Sequence, residues 1–209
     1  MNIFWYRRDL RSYDNTGLFH ALENSNEVQP IFIFDKNIID ELEDDDPRVN
    51  FIYFQLEKIN NELKEFGCSL KVYYGDPLEI FKEIISKVSL KNVYTNRDYE
   101  PYGTERDNSI KKLLDYNNIS FHSYKDQVIF EENEVVKNDG LPYTVFTPFK
   151  NKWLARFKEN KPIINNRLKT ENYKESKYDF PTLEDFGFRL SKINVPEFDL
   201  KKVADYDAT

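Results

Sequence analysis

Residues 2–15 read NIFWYRRDLRSYDN. An apolar run of strand length, 2–6, passes without a glycine into Arg7-Arg8-Asp9-Leu10-Arg11, and Asp14-Asn15 stands where a helix begins. A dinucleotide-binding fold places glycines after its first strand, so that phosphate approaches the backbone. Here that corner carries three guanidinium groups and two carboxylates. It has neither the glycines nor the backbone nest that a nucleotide phosphate would use.

The pattern repeats along the chain. Apolar runs at 2–6, 28–34, 69–74, 92–95 and 119–124 alternate with helix-period segments at 15–24, 46–66, 77–87 and 105–117. In the longest segment Val49, Ile52, Tyr53, Leu56, Ile59 and Leu63 share one face at spacings of three and four. Asp14 or Asn15 caps the first helix, Gly67 follows the second, and Asp76-Pro77 is an N-cap with a first-turn proline. Near-continuous apolar strands predict cover on both faces. The alternation predicts a five-stranded parallel, doubly wound (Rossmann-like) α/β sheet with helices on both faces. Ligands of such sheets bind beyond the carboxyl ends of the strands, near the point where strand order reverses. After Tyr124 a turn at 140–143 leads to one more helix over 145–159, and Trp5 and Trp153 are expected in the core. Residues 159–209 read as an irregular connection.

The chain of 209 residues is long enough to bury roughly 70% of its unfolded surface without staples. Cys68 is its single cysteine, which excludes an internal disulfide and favours a reducing compartment. No apolar run suits a signal peptide or a membrane span, so a cytoplasmic protein with no membrane partner is expected. The net charge of −7 argues against a general nucleic-acid coat. Yet residues 150–177 hold nine basic side chains against three acidic ones. That tract is either a solvated linker or a phosphate-facing surface, with Lys150, Lys152 and Arg156 the candidates to face DNA. His20, His122 and Cys68 lack zinc spacing, and neither a nucleophile elbow nor a Walker loop occurs.

Three polar clusters follow strands: Arg7-Arg8-Asp9-Leu10-Arg11, Asp35 with Asp46-Pro47-Arg48, and Asn96-Arg97-Asp98-Tyr99-Glu100-Pro101-Tyr102-Gly103. With Asp14-Asn15, Gly75-Asp76-Pro77, Arg106-Asp107 and Pro142-Tyr143-Thr144-Val145-Phe146-Thr147-Pro148-Phe149, they stand in the order and spacing that resemble the DNA photolyases and cryptochromes. The resemblance runs to about Lys158. It implies an N-terminal α/β antenna-binding domain at 1–158, then an interdomain connection at 159–209 leading to a helical FAD-binding domain absent from this sequence. Residues 205–209 resemble the approach to that domain.

The implied function is antenna-pigment binding in a light-driven photolyase that repairs pyrimidine dimers in damaged DNA, with this chain inactive alone. A cryptochrome signalling module is the alternative, and a stand-alone nucleotide-binding protein a third reading. The pigment expected first is a deazaflavin, then FMN or a flavin-like pigment, then folate, because folate-type members are expected to carry Asn-Glu where this chain has Tyr102-Gly103; an empty pocket is the fourth alternative. A flat pigment needs apolar walls, a few convergent polar groups and a counter-charge. Phe34, Asp35, Arg48, Asp98, Glu100, Tyr102 and Gly103 are the residues expected to supply them. Gly103 would let the backbone pass close to the ring, and Glu100 would otherwise pair with Arg97 or Arg106. Arg7, Arg8, Asp9, Arg11, Asp14 and Asn15 are expected to form a scaffold that fixes the pocket and docks the second domain.

Overall fold

Aspartate, asparagine and proline set where the helices begin. Asn15, Asp46 and Asp76 each turn a side-chain oxygen onto a first-turn amide, and Pro47 and Pro77 occupy first-turn positions that need no amide hydrogen. The structure is a computed structural model that describes residues 1–165 and 167–193. Its elements are β1 (Asn2–Tyr6), α1 (Thr16–Asn24), β2 (Val28–Asp35), α2 (Lys36–Ile39), α3 (Pro47–Lys64), β3 (Lys71–Gly75), α4 (Pro77–Lys87), β4 (Asn92–Asn96), α5 (Pro101–Tyr116), β5 (Ser120–Tyr124) and α6 (Phe146–Glu159).

Among the described residues the five strands form one parallel sheet in the order β3-β2-β1-β4-β5, so the winding reverses between β1 and β4. One face packs Phe4, Tyr6 and Phe34 against Leu18 and Leu22 of α1 and Leu56, Ile59 and Leu63 of α3. The other packs Ile3, Trp5, Ile31 and Ile33 against Ile80, Phe81 and Ile84 of α4 and Ile110 and Leu114 of α5. β1 and β2 are buried along their whole length, as their sequences predict. The edge strands β3 and β5 are only half covered, because each has a neighbour on one side alone.

Several expectations need correction. Helix α5 starts at Pro101, four residues before the expected 105, because extended Glu100 is its N-cap and Pro101 its first residue. Asn15, and not Asp14, caps α1 by accepting from the Leu18 amide. Trp5 is in the core, but Trp153 is not: α6 buries none of its residues, and Trp153 stacks on Phe157 at 5.1 Å on a half-covered face. The chain after α6 also returns to the sheet. Lys174 N donates to Val28 O at 2.9 Å, Tyr178 N to Ser69 Oγ at 2.7 Å, and Tyr173, Leu183, Phe186 and Phe188 are buried in the α3-side core. Residues 205–209 lie outside the described residues. No described helix is long and apolar enough to cross a membrane.

Phe186 packs 4.7 Å from the ring of Phe34, at the sheet end that carries the polar loops. Phe186→Ala is expected to cost about 3 kcal/mol of stability through the cavity it leaves. Urea unfolding followed by circular dichroism measures it. A loss below about 1 kcal/mol would mean the returning segment is not part of this folding unit.

Candidate functional site

The crevice between the carboxyl ends of β1 and β4 is where the fold would ordinarily receive a ligand. Here the protein's own side chains fill most of it and leave a hollow of about 70 Å³. Asp9 accepts from the Arg7 amide at 3.0 Å, from Asn15 Nδ2 at 3.0 Å and from Asn96 Nδ2 at 2.5 Å. The first amides of α1, which would otherwise hold an anion, donate to Asp126 from Thr16, to Asn96 from Gly17 and to Asn15 from Leu18. Arg7 reaches across to the Asn96 carbonyl and to Asp107. Burial pulls its guanidinium below the ordinary arginine pKa, and Asp107 opposes that shift. The opening corner is therefore a scaffold tying β1, β4, α1 and α5 together. Asp14 and Arg11 extend it: Asp14 accepts from the Asn165 amide, and Arg11 pairs with Asp126 at 2.8 Å.

Open space lies to one side, over the ends of β1 and β2. A cleft of about 440 Å³ opens there between the α2–α3 segment and the start of α5. Its apolar wall is formed by Ile38, Ile39, Leu42, Val49 and Ile52, with Phe34 behind them. Its polar wall is formed by Asp35, Asp98, Glu100, Tyr102 and Gly103, and Arg48 and Arg8 stand at its rim. All seven residues singled out for a flat ligand thus border one cleft.

The polar wall is held by a hub that the sequence reading quoted but did not assign. The guanidinium of Arg106, 8% exposed, lies 3.3 Å from Asp98, 3.2 Å from Asp107 and 3.9 Å from Asp35, and stands over the rings of Trp5 and Tyr102. Tyr102 donates to Asp35 at 2.6 Å, and burial together with that bond pushes its phenol up to about 12. Asp35 also accepts from the Asn37 amide and so caps α2, which points Ile38 into the cleft.

Individual roles differ from expectation at three positions. Glu100 pairs with Arg8 at 2.6 Å, not with Arg97 or Arg106, because its position before Pro101 turns it toward the β1 loop. Arg48 folds back on its own cap residue Asp46 at 2.7 Å, which offsets the misfit of a cation in a first helical turn. Gly103 makes room for Asp98: a Cβ there would lie 2.5 Å from Asp98 Cγ. The sequence reading missed Trp5 as a cleft residue, along with Ile38, Ile52 and Arg106. Only Arg106 carried a signal, as a cation within one helical turn of the polar cluster. Lys150 and Lys152 are exposed on α6, away from this cleft, while Arg156 donates to the Glu134 carbonyl.

Comparison with known proteins identifies the family and the fold. The DNA photolyase family profile matches residues 2–166, and the chain belongs to that family, whose members bind flavin and antenna chromophores. A deoxyribodipyrimidine photo-lyase of Synechococcus is 30% identical over 154 residues, 74% of this chain and 32% of the relative. Cryptochrome-1 of Drosophila melanogaster is 29% identical over 155 residues, 71% of this chain and 29% of the relative. The photolyase of Sulfolobus tokodaii, whose structure holds two FAD molecules and implies a novel light-harvesting cofactor, superposes with a TM-score of 0.70 at 28% identity. That superposition covers 93% of this chain and 43% of the archaeal one. The chain thus spans well under two thirds of the length of these relatives.

Gly103 offers a test of the polar wall. Helix propensity alone would make Gly103→Ala stabilising by up to about 1 kcal/mol, whereas displacement of Asp98 from Arg106 costs about 1–3 kcal/mol. A net loss of stability is expected in thermal or urea unfolding; a gain would show that Asp98 moves freely.

Proposed function

We propose that this member of the DNA photolyase family binds a flat antenna pigment in the cleft over β1 and β2. The pigment would serve FAD held by a C-terminal helical domain of the same protein, within a light-driven enzyme that repairs pyrimidine dimers in DNA. The observation that carries this reading is the convergence of Phe34, Asp35, Arg48, Asp98, Glu100, Tyr102 and Gly103 on one cleft with an apolar wall facing a polar one.

The residues present fit such a group. The volume of about 440 Å³ lies within the range of small-molecule pockets, roughly 300–1,000 Å³. Trp5, whose Nε1 is buried without an acceptor among the described residues, borders the cleft and adds an aromatic surface to it. Ile38, Ile52 and Leu42 would cover one ring face, while Asp98 and Asp35 would receive ring or ribityl donors. Arg48 and Arg8 stand ready at the rim for negative charge. When bound, the pigment absorbs light and passes its excitation energy to the flavin. The protein's part is to orient the ring and exclude water.

The preferred pigment is a deazaflavin, with FMN or another flavin-like pigment second and folate third. The Tyr102-Gly103 pair, and the two FAD molecules described for the Sulfolobus tokodaii protein, support the flavin-like classes. The cryptochrome reading stays second. The motif Asn96-Arg97-Asp98-Tyr99-Glu100-Pro101 leans toward repair, and dimer repair by the intact gene product in light decides between them.

Adding deazaflavin or FMN to the purified chain is expected to give a red-shifted, structured absorption band. Ile38→Asp, a change at a half-exposed position, is expected to weaken binding by about ten-fold or more. No band with any candidate would end the pigment reading. For the DNA partner, neutralising Lys150, Lys152 and Arg156 together is expected to weaken DNA binding by the intact gene product. Each lost phosphate contact should lower the log–log salt slope by about 0.9. An unchanged slope would assign these residues to a solvated helix face.

A further inference from the structure

A second, smaller hollow of about 70 Å³ lies at the strand-order reversal itself and shares Arg7, Arg8 and Asp98 with the cleft. It is ringed by Arg7, Arg8, Arg11 and Arg97. Its volume is on the order of two waters' share of liquid, which suits a tetrahedral oxyanion and is far too small for a ring system. Three carboxylates share the lining, and each is already engaged, Asp98 by Arg106 at 3.3 Å and by Arg8 at 3.7 Å. Asp9 is taken up by Arg7 N, Asn15 and Asn96, and one oxygen of Asp126 caps the Thr16 amide.

The arginines are not exhausted by their partners. Arg8 engages Glu100 and Asp98 through Nη1 alone, Arg97 engages Glu131 through Nη1, and Arg11 engages Asp126 and the Asp14 carbonyl through Nη2. Each guanidinium has five N–H donors, so each keeps donors for a ligand. All three are about half exposed, and such ion pairs are weak enough to be rearranged by a stronger anion. The corner lacks glycine but offers guanidinium groups, which pair with oxyanions without a backbone nest.

We infer that this hollow is a phosphate subsite, taking the phosphate on the ribityl tail of a pigment whose ring lies in the adjoining cleft. The inference rests on the antenna reading and narrows it to phosphorylated pigments. Arg8, shared by both spaces, marks the passage between ring and tail. Arg11 and Arg97 line the hollow and not the cleft.

FMN and riboflavin differ only in the phosphate, and titrating each into the purified chain by flavin fluorescence separates tail from ring. The same comparison is made with a deazaflavin riboside and its phosphate. The phosphorylated member is expected to bind roughly ten-fold tighter. That preference should collapse in Arg11→Gln/Arg97→Gln, and at raised salt, while the affinity of the unphosphorylated member stays unchanged. Arg97→Gln alone, at an exposed position, serves if the double variant fails to fold. Equal affinity for both members, or a preference that survives the variants, would overturn the subsite and leave the antenna reading standing. Binding by neither member of either pair would overturn both.

Discussion

The buried knot of Asp9, Asn15 and Asn96 is the contact on which the rest of the structure depends. At the reversal of a parallel sheet, neighbouring strands send their loops in opposite directions and leave a crevice with an uncapped helix beside it. Each buried amide without an acceptor costs about 1–3 kcal/mol. Three side-chain oxygens from Asn15, Asn96 and Asp126 answer the three first amides of α1. Asn96 in turn donates to Asp9 and to Asn15, so loss of one member strands the others. The knot also fixes Gly17: a Cβ there would stand 2.7 Å from Asn96 Oδ1 and 3.0 Å from the Thr95 carbonyl carbon.

With the crevice too narrow for a ring, space for one opens on the β2 side, and Arg106 shapes it. A guanidinium among Asp35, Asp98 and Asp107 is costly to desolvate, so the cluster as a whole adds little net stability. The arrangement instead gives position. Arg106 fixes Asp98 against Gly103, holds the face of Tyr102, and through Asp35 reaches the cap of α2. One buried cation thus sets both walls of the cleft.

The sheet was legible because its central strands are apolar without interruption and its helices carry period-correct faces between clear caps. Edge exposure was not legible, since strand order is a long-range property that β3 and β5 do not encode locally. That the polar loops share a rim followed from the rule that strand carboxyl ends gather ligand residues. The partners within the rim did not follow. On sequence grounds Glu100 has several arginines within reach, and only the turn at Pro101 directs it to Arg8. The four-residue α2 is too short to show periodicity, so Ile38 was invisible as a wall. Trp153 misled because an apolar helix face is the same in sequence whether it meets a core or stands half covered, as α6 does here.

Why such a rim suits holding a pigment more than performing bond chemistry follows from its protonation and pairing. A general base must be free to take a proton near neutral pH, and a nucleophile must be deprotonated or beside such a base. Tyr102 is the hydroxyl of the polar wall, and with its phenol raised to about 12 it stays protonated as a donor to Asp35. Asp35 receives that bond and the Asn37 amide, Asp98 faces Arg106, and Glu100 faces Arg8. Every carboxylate of the wall is thus already matched to a cation or a donor. The buried pair Asp35 and Asp98, fixed in this way, need not reorganise when a ligand enters, and orienting a ring depends on that rigidity.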